Sequence, residues 1–136
     1  MEATTTVTRA PPKEHTLVHF EIPATDPSKV ARFYEQLFGW KFNKWEGANM
    51  DYWLISHKDA QSADDTLGGL YKRNMPQEGF LNYFNVKSID DSIKSATNLG
   101  ASVIMAKQEI PNIGYSAVLK DPDGNTFALF QSAGRM

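Results

Sequence analysis

Hydrophobic and polar positions switch between two periods along the chain. Val18, Phe20 and Ile22 alternate with His19 and Glu21, which predicts a strand over 18–22 that ends at Pro23. In the next stretch Val30, Phe33, Tyr34, Leu37 and Phe38 recur at helical spacing. Asp26 suits the N-cap of that helix and Pro27 its first position, and Gly39 suits its left-handed stop. Three short strand candidates follow at 41–45, 52–56 and about 67–71, with "HKDAQSADD" as a polar, mobile loop. The same order then returns. "LNYFNV" over 81–86 is a strand. "SIDDSIKSATNLG" is a helix with Ser88 as cap, Ile89, Ile93, Ala96 and Leu99 as its stripe, and Gly100 as its stop. Strands over 102–106 (extending towards 110), 115–120 and 126–131 complete the series.

The chain thus predicts an α+β fold of two paired βαβββ modules, about 16–72 and 80–132, within a single domain over 16–132. The halves repeat a pattern and share little residue identity. Neither is large enough to bury its own sheet well. Side by side they give one curved mixed sheet with helices on its outer face and a concave cleft on the other, and ligand sites favour such concavities. Strand alternation then sorts the residues. The apolar sets, Val18, Phe20 and Ile22, Phe84 and Val86, Phe127 and Leu129, should pack on the helices. The mixed sets should line the cleft: His19, Glu21, Leu81, Tyr83, Asn85, Thr126, Ala128 and Phe130.

Composition narrows the function classes. At 136 residues one domain is expected, and 41% hydrophobic with 12% aromatic residues supports a real core. Sixteen acidic against fourteen basic residues leave a net charge of -2 with no basic stripe, which argues against a nucleic-acid partner. No apolar run approaches the ~20 residues that cross a bilayer, so no membrane partner is expected. The opening segment, 1–15, reads as a disordered lead with no apolar core of the signal-peptide kind. Cysteine is absent, which removes disulfides, thiolate metal sites and a Cys nucleophile together. A cytoplasmic setting is compatible with all of this.

His19 and Glu21 are the best candidates for chemistry. A neutral imidazole beside a carboxylate can act as a general base; the plainer reading is a structural His bonded to a polar neighbour. Tyr83 and Asn85 can bond a carbonyl or hydroxyl of a ligand, or each other and water. Trp40, Trp45, Tyr52 and Trp53 concentrate aromatic surface beside the first module, with Trp53 a candidate ligand contact and core packing the alternative. "GGLYKR" has adjacent glycines without the spaced Gly-Lys-Ser/Thr of a phosphate loop, and "DPDGN" is a turn rather than a calcium loop.

Three segments, "HFEIPATDPSKVARFYEQLFGW", "YFNVKSIDDSIKSATNLGASV" and "DPDGNTFAL", resemble the vicinal oxygen chelate superfamily, the glyoxalase and bleomycin-resistance fold, and most of all the predicted relatives of lactoylglutathione lyase. The resemblance covers about 16–132. It implies paired βαβββ modules, a homodimer, and in the enzymes one divalent metal held by His, Gln or Glu from the first, fourth, fifth and eighth strands. The implied positions here are His19, then none on the fourth strand, Leu81 on the fifth and Ala128 on the last. One donor of four is retained, so no metal or other cofactor is expected. The expected function is metal-free binding of a small organic molecule on this fold, with His19, Glu21, Trp53, Leu81, Tyr83, Asn85, Ala128 and Phe130 in contact. The alternatives are a glyoxalase-like lyase, isomerase or dioxygenase using His19 and Glu21, with or without a metal, and a partner-binding module whose cleft is vestigial.

Overall fold

The computed structural model describes residues 13–46, 50–61 and 65–133. Ten elements follow in order: β1 (Leu17–Ala24), α1 (Pro27–Phe38), β2 (Lys41–Lys44), β3 (Tyr52–Ser56), β4 (Thr66–Lys72), β5 (Leu81–Asn85), α2 (Ile89–Asn98), β6 (Ser102–Ile110), β7 (Gly114–Lys120) and β8 (Thr126–Ser132).

Local chemistry sets the helix ends. The Asp26 carboxylate accepts from the Lys29 amide at 3.2 Å, satisfying one of the amides that a first helical turn leaves without a partner. Gly39 takes φ 75° and donates its amide to the Glu35 carbonyl, closing α1. Ser88 plays the Asp26 role for α2, and the Ile89 amide donates to Gln131 Oε1 at 2.8 Å, which pins that helix to β8. Replacing Asp26 with Ala should cost about 1 kcal/mol. Urea unfolding is the measurement; an unchanged midpoint would mean that the cap is idle, whereas Asp26→Asn should hold the wild-type value.

All eight strands form one sheet in the order β2-β3-β4-β1-β5-β8-β7-β6. β1–β4 and β5–β8 are parallel, and the other pairs are antiparallel. β1 and β5 join the two modules, with His19 opposite Tyr83 and Glu21 opposite Leu81. Both helices lie on one face. Under α1, Ile22, Ala24, Ile55 and Leu70 are buried, with Phe20, Val30 and Tyr34 against them. Under α2, Val86, Ile89, Ala117, Leu119 and Leu129 are buried, with Ile93, Ala96 and Phe127 against them. At 12 and 10 residues, α1 and α2 are about as long as, or shorter than, the shortest helices that hold alone in water. Docking of Val30 and Tyr34 from α1 and of Ile89, Ile93 and Ala96 from α2 is therefore what keeps them folded, while Phe33, Leu37 and Leu99 of the expected stripes stay exposed.

The sequence places these elements well, with differences at the ends. β1 runs through Pro23 to Ala24 because it continues to pair with β4, and both carbonyls find donors on Arg73: Nη2 for Pro23 at 3.3 Å and the amide for Ala24 at 2.8 Å. The chain is also ordered earlier than expected. Lys13 to Thr16 turn against the end of β5, where the His15 amide meets the Asn85 carbonyl at 2.6 Å and the Asn85 amide meets the Thr16 carbonyl at 2.9 Å. The rest of the lead, 1–12, and positions 62–64 of the polar loop lie outside the described residues. Among the described residues no helix is long and apolar enough to cross a membrane.

Candidate functional site

The face opposite the helices carries a hydrogen-bonded cluster at the seam between modules. Alternation along β1 turns His19 and Glu21 away from α1, because Phe20 and Ile22 pack beneath it. Tyr83 of β5 stands beside His19, its ring edge-on at 5.4 Å. The fourth member is Tyr52 of β3, which lies two strands from β1 in the sheet. Its side chain reaches β1 by lying across Gly69 of β4. A Cβ built at Gly69 would stand 1.9 Å from the Tyr52 hydroxyl oxygen, so only a glycine leaves that path open.

Tyr52 donates to Glu21 Oε2 at 2.8 Å, and Tyr83 donates to Glu21 Oε1 at 2.8 Å. His19 Nε2 lies 2.9 Å from the Tyr52 hydroxyl. A phenol has one proton, and that of Tyr52 goes to the carboxylate. His19 must then donate through Nε2, which fixes its tautomer and leaves Nδ1 as an acceptor. Burial drives the electrostatics. It lowers His19 to about 4, so the imidazole is neutral at pH 7. It raises Glu21, against the hydrogen bonds from Tyr52 and Tyr83, which favour the charged carboxylate. It also pushes both phenols up, and the adjacent Glu21 charge pushes them further in the same direction. Both therefore stay protonated and act as donors. Tyr71 of β4 is raised to about 12, by burial first and then by the charge of Glu78.

The structure brings His19, Glu21 and Tyr83 together, and Leu81 and Ala128 flank them in register, opposite Glu21 and Tyr83 respectively. Ala128 is wholly buried. Phe130 pairs with Asn85 further along. The Asn85 side chain donates to the Lys13 carbonyl at 3.2 Å, so it is engaged with the start of the ordered chain. Trp53 is not in this group. It packs with Ile55 and Leu70 in the α1 cluster, because alternation along β3 turns Tyr52 and Trp53 to opposite faces. Tyr52, one position before it, is the β3 residue that joins the cluster. The sequence grouped Tyr52 only with the aromatic surface beside the first module and gave Gly69 no role. A glycine inside a strand marks close approach by another group, which signals Gly69 but does not say which side chain crosses it.

These donors do not fit a divalent ion. Among the described residues no three His, Asp or Glu side chains gather. The implied fifth- and eighth-strand ligands are Leu81 and Ala128, and β4 presents Gly69 and Tyr71 to this face. Each Glu21 oxygen already accepts from a neutral phenol.

Comparison with known proteins agrees with the fold. Residues 17–130 match the family model of the glyoxalase-like domain. The chain is 31% identical over 123 residues to the Mycobacterium tuberculosis protein named "Putative glyoxylase CFP32", covering 87% of this chain and 44% of that protein. It therefore spans under half the length of that relative. It is 27% identical to a glyoxylase-like domain-containing protein of Didymella fabae, over 85% of this chain and 92% of the relative. Among solved structures, a Bacillus halodurans hypothetical protein superposes with a TM-score of 0.65 at 15% identity, covering 91% of this chain and 99% of that one. A Streptomyces coelicolor methylmalonyl-CoA epimerase superposes with a TM-score of 0.63 at 14% identity, covering 90% and 100%. At such identities the structural likeness concerns the fold.

Proposed function

The chain belongs to the glyoxalase-like domain family, within the vicinal oxygen chelate fold, and on that premise we propose that the face of the sheet opposite the helices binds a small organic molecule without a metal. The observation that carries this reading is the His19–Tyr52–Glu21–Tyr83 cluster, four polar side chains held together by three contacts of 2.8 to 2.9 Å at the module seam. Leu81 and Phe130, both half-buried, supply apolar surface beside it. A few fixed polar groups set among apolar ones are what orient a bound ligand. A homodimer is part of the proposal, supported by the apolar surface that Phe33, Leu37 and Phe38 leave exposed on α1.

A thermal-shift screen of metabolites and planar antibiotics tests it. At least one compound should raise the melting temperature by several degrees at concentrations well above its Kd. The rise should vanish in Tyr83→Ala and persist in Asp59→Ala, which alters an exposed turn. A screen with no shifting compound would remove the proposal.

One observation favours a catalytic variant of the same reading. Burial raises the Glu21 pKa above the ordinary carboxylate value, the direction that suits a proton-transferring carboxyl. Recovery of a bound compound chemically changed would distinguish catalysis from binding alone.

A further inference from the structure

We propose that this site selects ligands carrying a protonated amine on an apolar body, with the ammonium seated against Glu21. The inference rests on the binding reading above and adds the charge and hydrogen-bonding character of the ligand.

Two counts support it. The first is of protons. Tyr52 and Tyr83 each spend their one hydroxyl proton on Glu21, and His19 spends Nε2–H on the Tyr52 oxygen. The cluster consumes every proton it can donate. What it still offers is acceptor capacity: the remaining lone pairs of the Glu21 oxygens, those of the Tyr83 oxygen, and His19 Nδ1. A ligand that brings only acceptors, such as a carboxylate or phosphate, would find no partner there. A ligand that brings several N–H groups would.

The second count is of charge. Register and alternation put Glu21 near the middle of this face. The cationic strand residues that share its face among the described residues are Lys41 at the end of β2 and Lys120 at the end of β7. Each strand is three steps from β1, roughly 14 Å at the ~4.8 Å spacing of paired strands. Arg73, which is nearer, spends donors on the carbonyls of Pro23, Pro76 and Glu78 and makes no ion pair with Glu21; its charge is felt at Tyr71. Glu78 adds negative potential at Glu21. His19 is neutral. The centre of the face is therefore an anion whose hydrogen-bond partners are two neutral phenols, rich in acceptors and bordered by rings that can take a cation on their faces. A primary ammonium matches all three features: one positive charge, three donors, and tolerance of aromatic neighbours. An ion of this kind would also offset the cost of keeping Glu21 charged in a buried setting.

Three probes of one shape test this: benzylamine, benzyl alcohol and benzoate, titrated into the full chain at pH 7 with a chelator present and followed by NMR shifts of the Tyr83 and His19 signals. Benzylamine should bind at least about tenfold tighter than benzyl alcohol, the scale of one charge-assisted hydrogen bond over a neutral one, and benzoate should produce no shift. In Glu21→Gln the preference for the amine should disappear. The wild-type series decides by itself if that variant fails to fold. Equal binding of amine and alcohol, or a preference for benzoate, overturns the amine selectivity and leaves the small-molecule reading standing. No binding of any probe also overturns the selectivity, and the wider reading falls with it only if the metabolite screen is silent too.

Discussion

Gly69→Ala should destabilise the protein by about 3 kcal/mol, although it adds a single methyl group to a strand. The new Cβ would stand 1.9 Å from the Tyr52 hydroxyl oxygen and 2.2 Å from its Cζ. No rotation of the hydroxyl relieves that overlap, so the ring has to leave. When it does, Glu21 Oε2 and His19 Nε2 both lose their partner. Overpacking costs about 1–3 kcal/mol, and a half-buried carboxylate that loses a donor adds to it. Denaturant unfolding measures the total. Gly79→Ala is the control, because a Cβ there meets nothing within 4 Å, and it should stay within about 0.5 kcal/mol of wild type. A double-mutant cycle isolates the cause. In a Tyr52→Ala background the Gly69→Ala cost should shrink by about 2 kcal/mol, the coupling expected of two groups in direct contact. Strictly additive costs would mean that Gly69 matters for backbone reasons and not for the passage of Tyr52.

That pair also marks where the sequence stops being legible. Two periods, two caps and two stop glycines were enough for the ten elements, because each is a local property of a few neighbouring residues. Alternation was enough for His19, Glu21, Leu81, Tyr83 and Ala128, because β1, β5 and β8 lie side by side at the seam. Tyr52 escaped for a different reason. It acts two strands from its own, and the permission for that reach lies on a third strand, at Gly69. Trp53 stands on the helix side because it is one position from Tyr52, the step that changes face in a strand. The ends of β1 were also non-local, since Arg73 supplies the donors that let the strand continue past Pro23.

Acidification should cost the wild-type chain about 3 kcal/mol more than it costs His19→Gln. Burial holds folded His19 near 4, from an ordinary 6.5. Between those two values the unfolded chain binds a proton that the folded chain refuses, so each step down in pH favours unfolding. The contribution is complete above about pH 6.5 and is lost as pH falls towards 4. At about 1.4 kcal/mol per tenfold change in proton affinity, the gap amounts to about 3 kcal/mol. Glu21 works in the opposite direction. Its raised pKa means that the folded form takes up a proton first as pH falls, which recovers stability over part of the same window. The wild-type curve alone is therefore shallower than His19 would make it, and the difference from His19→Gln is the quantity to read. Urea unfolding at pH 7, 5.5 and 4 gives it. Parallel curves would show that His19 titrates normally. An ordinary imidazole could carry a proton on Nδ1 near neutral pH and present a donor where the amine selectivity needs an acceptor. The same three measurements therefore test the proton count on which that selectivity rests, before any ligand is added.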